Sequence, residues 1–284
     1  MKIARVFPRR TKATPIDDLV FTGPPGLFPP EVDEVHISVA FTWDLPYAEL
    51  LTEYWGKIAP VKIGGPALEL PSDKFIPGFY LKYGYVITSR GCPNHCWFCS
   101  VPKREGNIRE YPIADGWNVL DDNLLACSEG HIRSVFAMLK KQKHKAEFTG
   151  GLEAARLQDW HIDLLCDLKP KQMFFAYDTD DDYEPLRIAS RKLLQAGFTK
   201  ASHSLRCFVL IGYKGDTQSK AQARMQNCID IGFTPMAMLW RDDSGKVSRE
   251  WQRFQRLWAR PAMIHGAYRH GSDEVIEVEL EVKK

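Results

Sequence analysis

Two hydrophobic rhythms divide the chain. Over the first eighty residues, the short β-rich runs "KIARVF", "EVHISVAF" and "VKIGGPA" surround one stretch of helical spacing, "YAELLTEYWGKI", with Leu50, Leu51, Tyr54 and Trp55 on one side. The order predicted is strand, strand, helix, strand. Between the first two strands, "TGPPGLFPPEV" is a surface loop, because its prolines lack an N–H to donate and its glycines resist ordering.

From about residue 82 the rhythm lengthens and repeats. "YGYVITS" and "WNVLDDNLLAC" are the first two strand candidates, and the helical "HIRSVFAMLKKQK" follows the second. "AEFTGG" then "WHIDLLCDL", "QMFFAYD" then "PLRIASRKLLQAG", and "RCFVLIGY" then "QSKAQARMQNCIDIG" alternate strand with helix, and "TPMAMLW" is a sixth strand. Strands that are almost unbroken apolar runs and alternate with helices predict a parallel sheet with covered faces. Six units do not complete an eight-unit barrel, so the expected fold is α/β, a partial (β/α)6 TIM-like barrel. It spans 82–241, after a small Rossmann-like unit at 1–81 and before a C-terminal extension at 242–284. That extension is a helix, "SREWQRFQRLWAR", with Trp251, Phe254, Leu257 and Trp258 towards the core, then the alternating strand "EVIEVELEVKK".

Composition adds mainly exclusions. A chain of 284 residues that is 44% hydrophobic can bury one substantial core and a small appended unit. Its 38 basic and 36 acidic residues leave a formal charge of +2, too little for a global field that would attract nucleic acid or an anionic membrane. The opening "MKIARVFPRR" has no signal-like apolar region, and no run of about eighteen apolar residues occurs. A cytoplasmic location, with no membrane partner, is expected. Disulfides are rare in that compartment, so clustered thiols point to metal or redox chemistry.

The thiols are clustered. "GCPNHCWFCSV" holds Cys92, Cys96 and Cys99, three of the seven cysteines, as C-x3-C-x2-C directly after a predicted strand. A closed zinc site needs a fourth ligand, and neither His95, adjacent to Cys96, nor the scattered Cys127, Cys166, Cys207 and Cys228 is placed to supply one. The economical reading is an iron-sulfur cluster on three cysteines with one open iron.

The loop resembles the C-x3-C-x-aromatic-C signature of radical S-adenosylmethionine (radical SAM) enzymes, with Phe98 as the aromatic. The resemblance covers residues 82 to about 241. It implies a 4Fe-4S cluster on Cys92, Cys96 and Cys99, and reductive cleavage of SAM to methionine and a 5'-deoxyadenosyl radical that modifies a substrate. It also implies a one-electron donor such as flavodoxin or ferredoxin. "TGG" at 149–151 stands where the family's glycine-rich turn meets SAM, which implicates Gly150 and Gly151. The family's acidic residue comes one place late here: Leu152 follows the pair and Glu153 comes next. Asp178 matches the ribose contact, and "VLIGY" looks like the adenine-side strand. "VPKREGNIRE" resembles the segment after the cluster in methylthiotransferases, where Arg109 would meet the SAM carboxylate. The N-terminal unit looks like a shortened cobalamin-binding domain without D-x-H-x-x-G, His36 lying inside a β-rich run, so no cobalamin is expected.

Other features carry less. Asp121, Asp122 and Asn123 interrupt a core strand and must find partners or face a cavity. Cys127 and Cys207 read as small buried hydrophobes. Arg249, Arg253, Arg256 and Arg260 line one face of the last helix, a solvated face that could also track phosphates. With that stripe and the methylthiotransferase likeness, the expected substrate is a nucleic acid or nucleotide. The alternatives are a small metabolite, or a non-enzymatic module that the cysteine loop staples through a metal. No residue is assigned to hydrogen abstraction.

Overall fold

The structure, a computed structural model, describes residues 1–71, 74–242, 245–259 and Ile264. The predicted strand "EVIEVELEVKK" and Arg260 lie outside the described residues. The described residues form two compact units, one within 1–174 and 241–246, the other within 175–240 and 247–259 with Ile264.

The first unit opens with four parallel strands, β1 (Ile3–Phe7), β2 (Val20–Thr22), β3 (Glu34–Ser38) and β4 (Val61–Gly64), in the order β2-β1-β3-β4, and one helix, α1 (Leu45–Trp55). The period-2 alternation sends Ala4, Val6, Val35 and Ile37 into a core shared with Ala48, Leu51 and Trp55 of α1. Trp55 is fully buried, and its indole N–H donates to the Gly23 carbonyl at 3.1 Å. The helix is turned differently from expectation. Its buried face runs through positions 48, 51 and 55, while Leu50 and Tyr54 are each 40% exposed. At 100° per residue both fall off the stripe set by Trp55, Tyr54 to its side and Leu50 towards the opposite face. β2, absent from the sequence reading, is a three-residue edge strand just before the Pro/Gly loop. On the other sheet face, His36 stacks on Tyr80, its Nδ1 lies 2.5 Å from the Tyr80 hydroxyl, and Glu34 lies 3.1 Å from its Nε2.

The same unit continues with β5 (Tyr85–Val86), β6 (Ser89–Arg90), the short helix α2 (Val101–Arg104), β7 (Arg109–Glu110), β8 (Asn118–Val119), α3 (Glu129–Lys140), β9 (Glu147–Phe148), α4 (Asp159–Leu168) and the start of β10 (Gln172–Tyr177). β5, β8, β9 and β10 form a parallel ladder that aligns Tyr85, Asn118, Glu147 and Gln172. These strands are shorter than the apolar runs suggested. "YGYVITS" splits into β5 and β6, and "WNVLDDNLLAC" yields a two-residue strand and a 3-10 turn at Leu124–Ala126. Asp121, in the middle of the second run, accepts through its side chain from Thr88 and Ser89 of the first.

In the second unit, the rest of β10 is followed by α5 (Tyr183–Gln195), β11 (Leu205–Ile211), α6 (Gln218–Ile231), β12 (Thr234–Leu239) and α7 (Arg249–Trp258). β11 lies between β10 and β12 and pairs in parallel with β12 from Arg206↔Thr234 to Ile211↔Leu239. Phe175, Cys207, Val209, Ile211, Met225 and Phe233 are fully buried, the consequence of strands covered on both faces. α7 buries Phe254 and Trp258, with Trp251 and Leu257 half-buried. The architecture is thus α/β with parallel sheets. Among the described residues, no helix is long and apolar enough to cross a membrane.

Candidate functional site

The three-cysteine loop is an excursion from the first unit with a built neck. β6 and β7 pair antiparallel there, Ser89 with Glu110 and Arg90 with Arg109, and the Cys92 amide donates to the Gly106 carbonyl at 3.0 Å. Gly91 makes the neck possible. Its φ is +94°, and a Cβ would stand 2.2 Å from the Asn107 carbonyl oxygen, so only glycine fits. Inside the loop the Cys99 amide donates to the Cys96 carbonyl at 3.1 Å, turning the chain between the last two thiols. Cys96 is exposed and Cys92 and Cys99 are half-buried; burial is the main cause that raises the Cys99 thiol above its ordinary pKa. Phe98 is half-buried, edge-on to the exposed Trp97.

Among the described residues, all seven cysteines included, there is no disulfide. Nor do three His, Cys, Asp or Glu side chains converge tightly enough to hold a metal ion. The donor chemistry nevertheless fits a three-thiolate centre, with three thiols on one turned stretch of backbone.

The polar interruption at 121–123 grips this loop residue by residue. Asp121, 1% exposed, accepts from the Thr88 amide (2.6 Å), the Thr88 hydroxyl (2.5 Å) and the Ser89 hydroxyl (2.7 Å). Burial raises its pKa, and those donors pull against the rise. His131 Nε2 lies 3.1 Å from the Thr88 hydroxyl, extending the network. Asp122 accepts from the Gly91 amide at 2.9 Å and from the Arg90 guanidinium at 3.1 Å, with Arg104 at 3.6 Å. Asn123 donates to Cys92 Sγ at 3.4 Å and to Glu153 Oε2 at 2.6 Å.

Glu153 also accepts from Arg156 at 2.5 Å. The "TGG" turn lies against the same segment: a Cβ on Gly150 would meet the Asp121 carbonyl oxygen at 2.2 Å, whereas Gly151, at φ +119°, faces open space. Leu152 is buried, and Glu153 after it holds Asn123 and Arg156. Cys92, Asn123, Glu153 and Gly150 are thereby brought together. Arg109 sits at the neck with its guanidinium on Glu105, an ion pair at 2.9 Å with a further bond to the Glu105 carbonyl. Asp178 belongs to the second unit, where its Oδ1 accepts from the Leu210 amide at 3.1 Å. Burial, then the charge of Asp182, pushes its pKa up to about 7.

No protein-family model matches the chain. It is similar over part of its length to methylthiotransferases. Ribosomal protein uS12 methylthiotransferase RimO of Xanthobacter autotrophicus is 33% identical over 98 residues, 34% of this chain and 21% of that protein. The same enzyme of Azorhizobium caulinodans is 31% identical over 96 residues, 34% and 21%, and that of Bradyrhizobium sp. strain BTAi1 29% over 97 residues, 34% and 22%. The matched stretch thus spans about a fifth of the length of these relatives.

Some functional side chains escaped the sequence reading. Thr88, Arg90, Arg104 and His131 act on the loop through long-range contacts that no motif marks, and only the misplaced acids at 121 and 122 signalled that partners existed. Cys127 and Cys207 are poor nucleophiles: burial pushes the first up to about 12, and the second, fully buried beside Cys228, well above its ordinary value. Arg249, Arg253 and Arg256 lie on α7 of the second unit, with Glu250 among them.

Proposed function

We propose that this protein is a radical SAM enzyme whose cluster loop is Cys92, Cys96 and Cys99. The observation that carries the reading is the C-x3-C-x2-C loop itself, closed at its neck by β6 and β7 and joined through Asn123 to the residues after the "TGG" turn. The partial similarity to methylthiotransferases agrees with it. A 4Fe-4S cluster bound there would supply the single electron that cleaves SAM to methionine and a 5'-deoxyadenosyl radical.

The chain's own residues would divide the remaining work. Phe98 would help to place SAM. Gly150 and Gly151 let a backbone approach that no side chain obstructs, and Glu153 offers a carboxylate to the SAM ammonium. Arg109 would take the SAM carboxylate in exchange for Glu105, and Asp178 the ribose. Asp121 and Asp122 hold the loop's leading strand, so that the thiols close on a fixed base. On this reading residues 82–241 are a partial (β/α)6 barrel domain, with 1–81 a scaffold that binds no cobalamin and 242–284 an extension.

The relatives' name places a methylthio group on a ribosomal protein, so we replace the nucleic-acid expectation with a protein substrate of that kind, ribosomal protein uS12 being the first to test. The electron would come from a flavodoxin or ferredoxin. The test is electron paramagnetic resonance of the anaerobically reconstituted, dithionite-reduced protein with and without SAM, followed by assay of 5'-deoxyadenosine. A reduced-cluster signal that SAM perturbs, with 5'-deoxyadenosine formed, is expected. Stoichiometric zinc and no cluster signal would leave the loop a structural staple.

A further inference from the structure

One atom between the cysteine loop and the "TGG" turn is left over. Asn123 is 5% exposed, and its side-chain NH2 makes both bonds described above, to Cys92 Sγ and Glu153 Oε2. Its Oδ1 is buried with no partner. The orientation is set by Glu153: turning the amide over would press Oδ1 against its carboxylate oxygen, which can only accept. A buried carbonyl without a donor bears its full desolvation cost, which a bound N–H relieves. The side chain is also held in place, because its chain neighbours Asp121 and Asp122 are both anchored to the strand that enters the loop.

We infer that Asn123 is a positioning residue that couples the thiolate centre to the binding of the cosubstrate's amino group. Its NH2 polarises Cys92 Sγ and aligns Glu153, while Oδ1 is reserved for an N–H of the SAM ammonium. The inference rests on the function proposed above. It adds a residue that the glycine-rich turn does not contain, and it accounts for an acidic residue that follows the glycine pair one place late. An N–H···S bond stabilises the extra negative charge of a reduced cluster, so its removal makes reduction harder. Asn123→Asp substitutes an acceptor for the donor and sets a second negative charge beside Glu153. Asn123→Ala deletes both functions and adds no charge.

The experiment reconstitutes wild type, Asn123→Asp and Asn123→Ala anaerobically with iron and sulfide and measures bound iron. Each cluster is then titrated electrochemically without SAM, and SAM affinity is read from its effect on the reduced-cluster signal. Both variants are expected to load wild-type iron and to show about a tenfold smaller ratio of reduced to oxidised cluster at a fixed potential, a shift of about 59 mV for one electron; Asn123→Ala, which alone loses the acceptor, is expected to bind SAM about tenfold more weakly. Should Asn123→Asp fail to load, Asn123→Ala decides alone. Loaded variants with wild-type potential and wild-type SAM affinity overturn the role of Asn123 and leave the cluster assignment standing. A wild-type protein that takes up no cluster overturns both.

Discussion

Asp121 and Asp178 are both acids driven towards neutrality by burial, with different consequences. Asp121 satisfies three donors at once, so Asp121→Ala takes the acceptor from the buried Thr88 amide and Ser89 hydroxyl and leaves the Thr88 hydroxyl only His131. We expect a loss of about 3 kcal/mol in stability, read as a lower urea midpoint. Asp178 is informative through pH. Its folded pKa, about 7, lies above the ordinary carboxylate value, so between about pH 4 and pH 7 the folded chain holds a proton that the unfolded chain has released. Stability therefore falls as pH rises through that window and is level beyond it. Denaturation of wild type and Asp178→Asn from pH 4 to pH 8 is expected to show this decline in wild type and its loss in the variant. Cys96→Ala, at an exposed thiol, should abolish iron uptake on reconstitution while changing folding stability by less than about 0.5 kcal/mol.

The elements around the loop depend on two glycines for different reasons. At Gly91 both the backbone sign and the space forbid a side chain, whereas at Gly150 only the space does. Gly151 needs its positive φ but has room. Gly91→Ala and Gly150→Ala, whose Cβ atoms would meet backbone oxygens, are expected to cost more than about 2 kcal/mol, and Gly151→Ala about 1 kcal/mol, in thermal or urea unfolding. An equal cost at all three positions would contradict the packing of the "TGG" turn on the segment at 120–121. Period alone located α1, α3, α5 and α6 to within a few residues. The rotation of α1 was not legible, since Leu50 and Leu51 are chemically equivalent and only the seat of Trp55 against the sheet chooses between them.

The whole molecule carries a formal charge of only +2, and the arginines of α7 are interspersed with Glu250. We expect no measurable retention on duplex DNA or RNA at about 0.15 M salt, because few phosphates would be neutralised. Measured binding at that ionic strength, abolished by charge reversal at Arg249, Arg253 and Arg256, would reinstate a polynucleotide partner. Much of the architecture was already present in one dimension. Apolar runs that alternate with 3.6-period helices demand parallel strands under covering helices, and three thiols within eight residues demand a common use, because both are properties of neighbours along the chain. Where the two strand candidates at 83–89 and 117–127 break, how Asp121, Asp122 and Asn123 share out the donors of the loop, and that Asn123 reaches both Cys92 and Glu153 were decided by folding. These contacts join residues about thirty positions apart, and such pairing leaves no periodic trace in the order of amino acids.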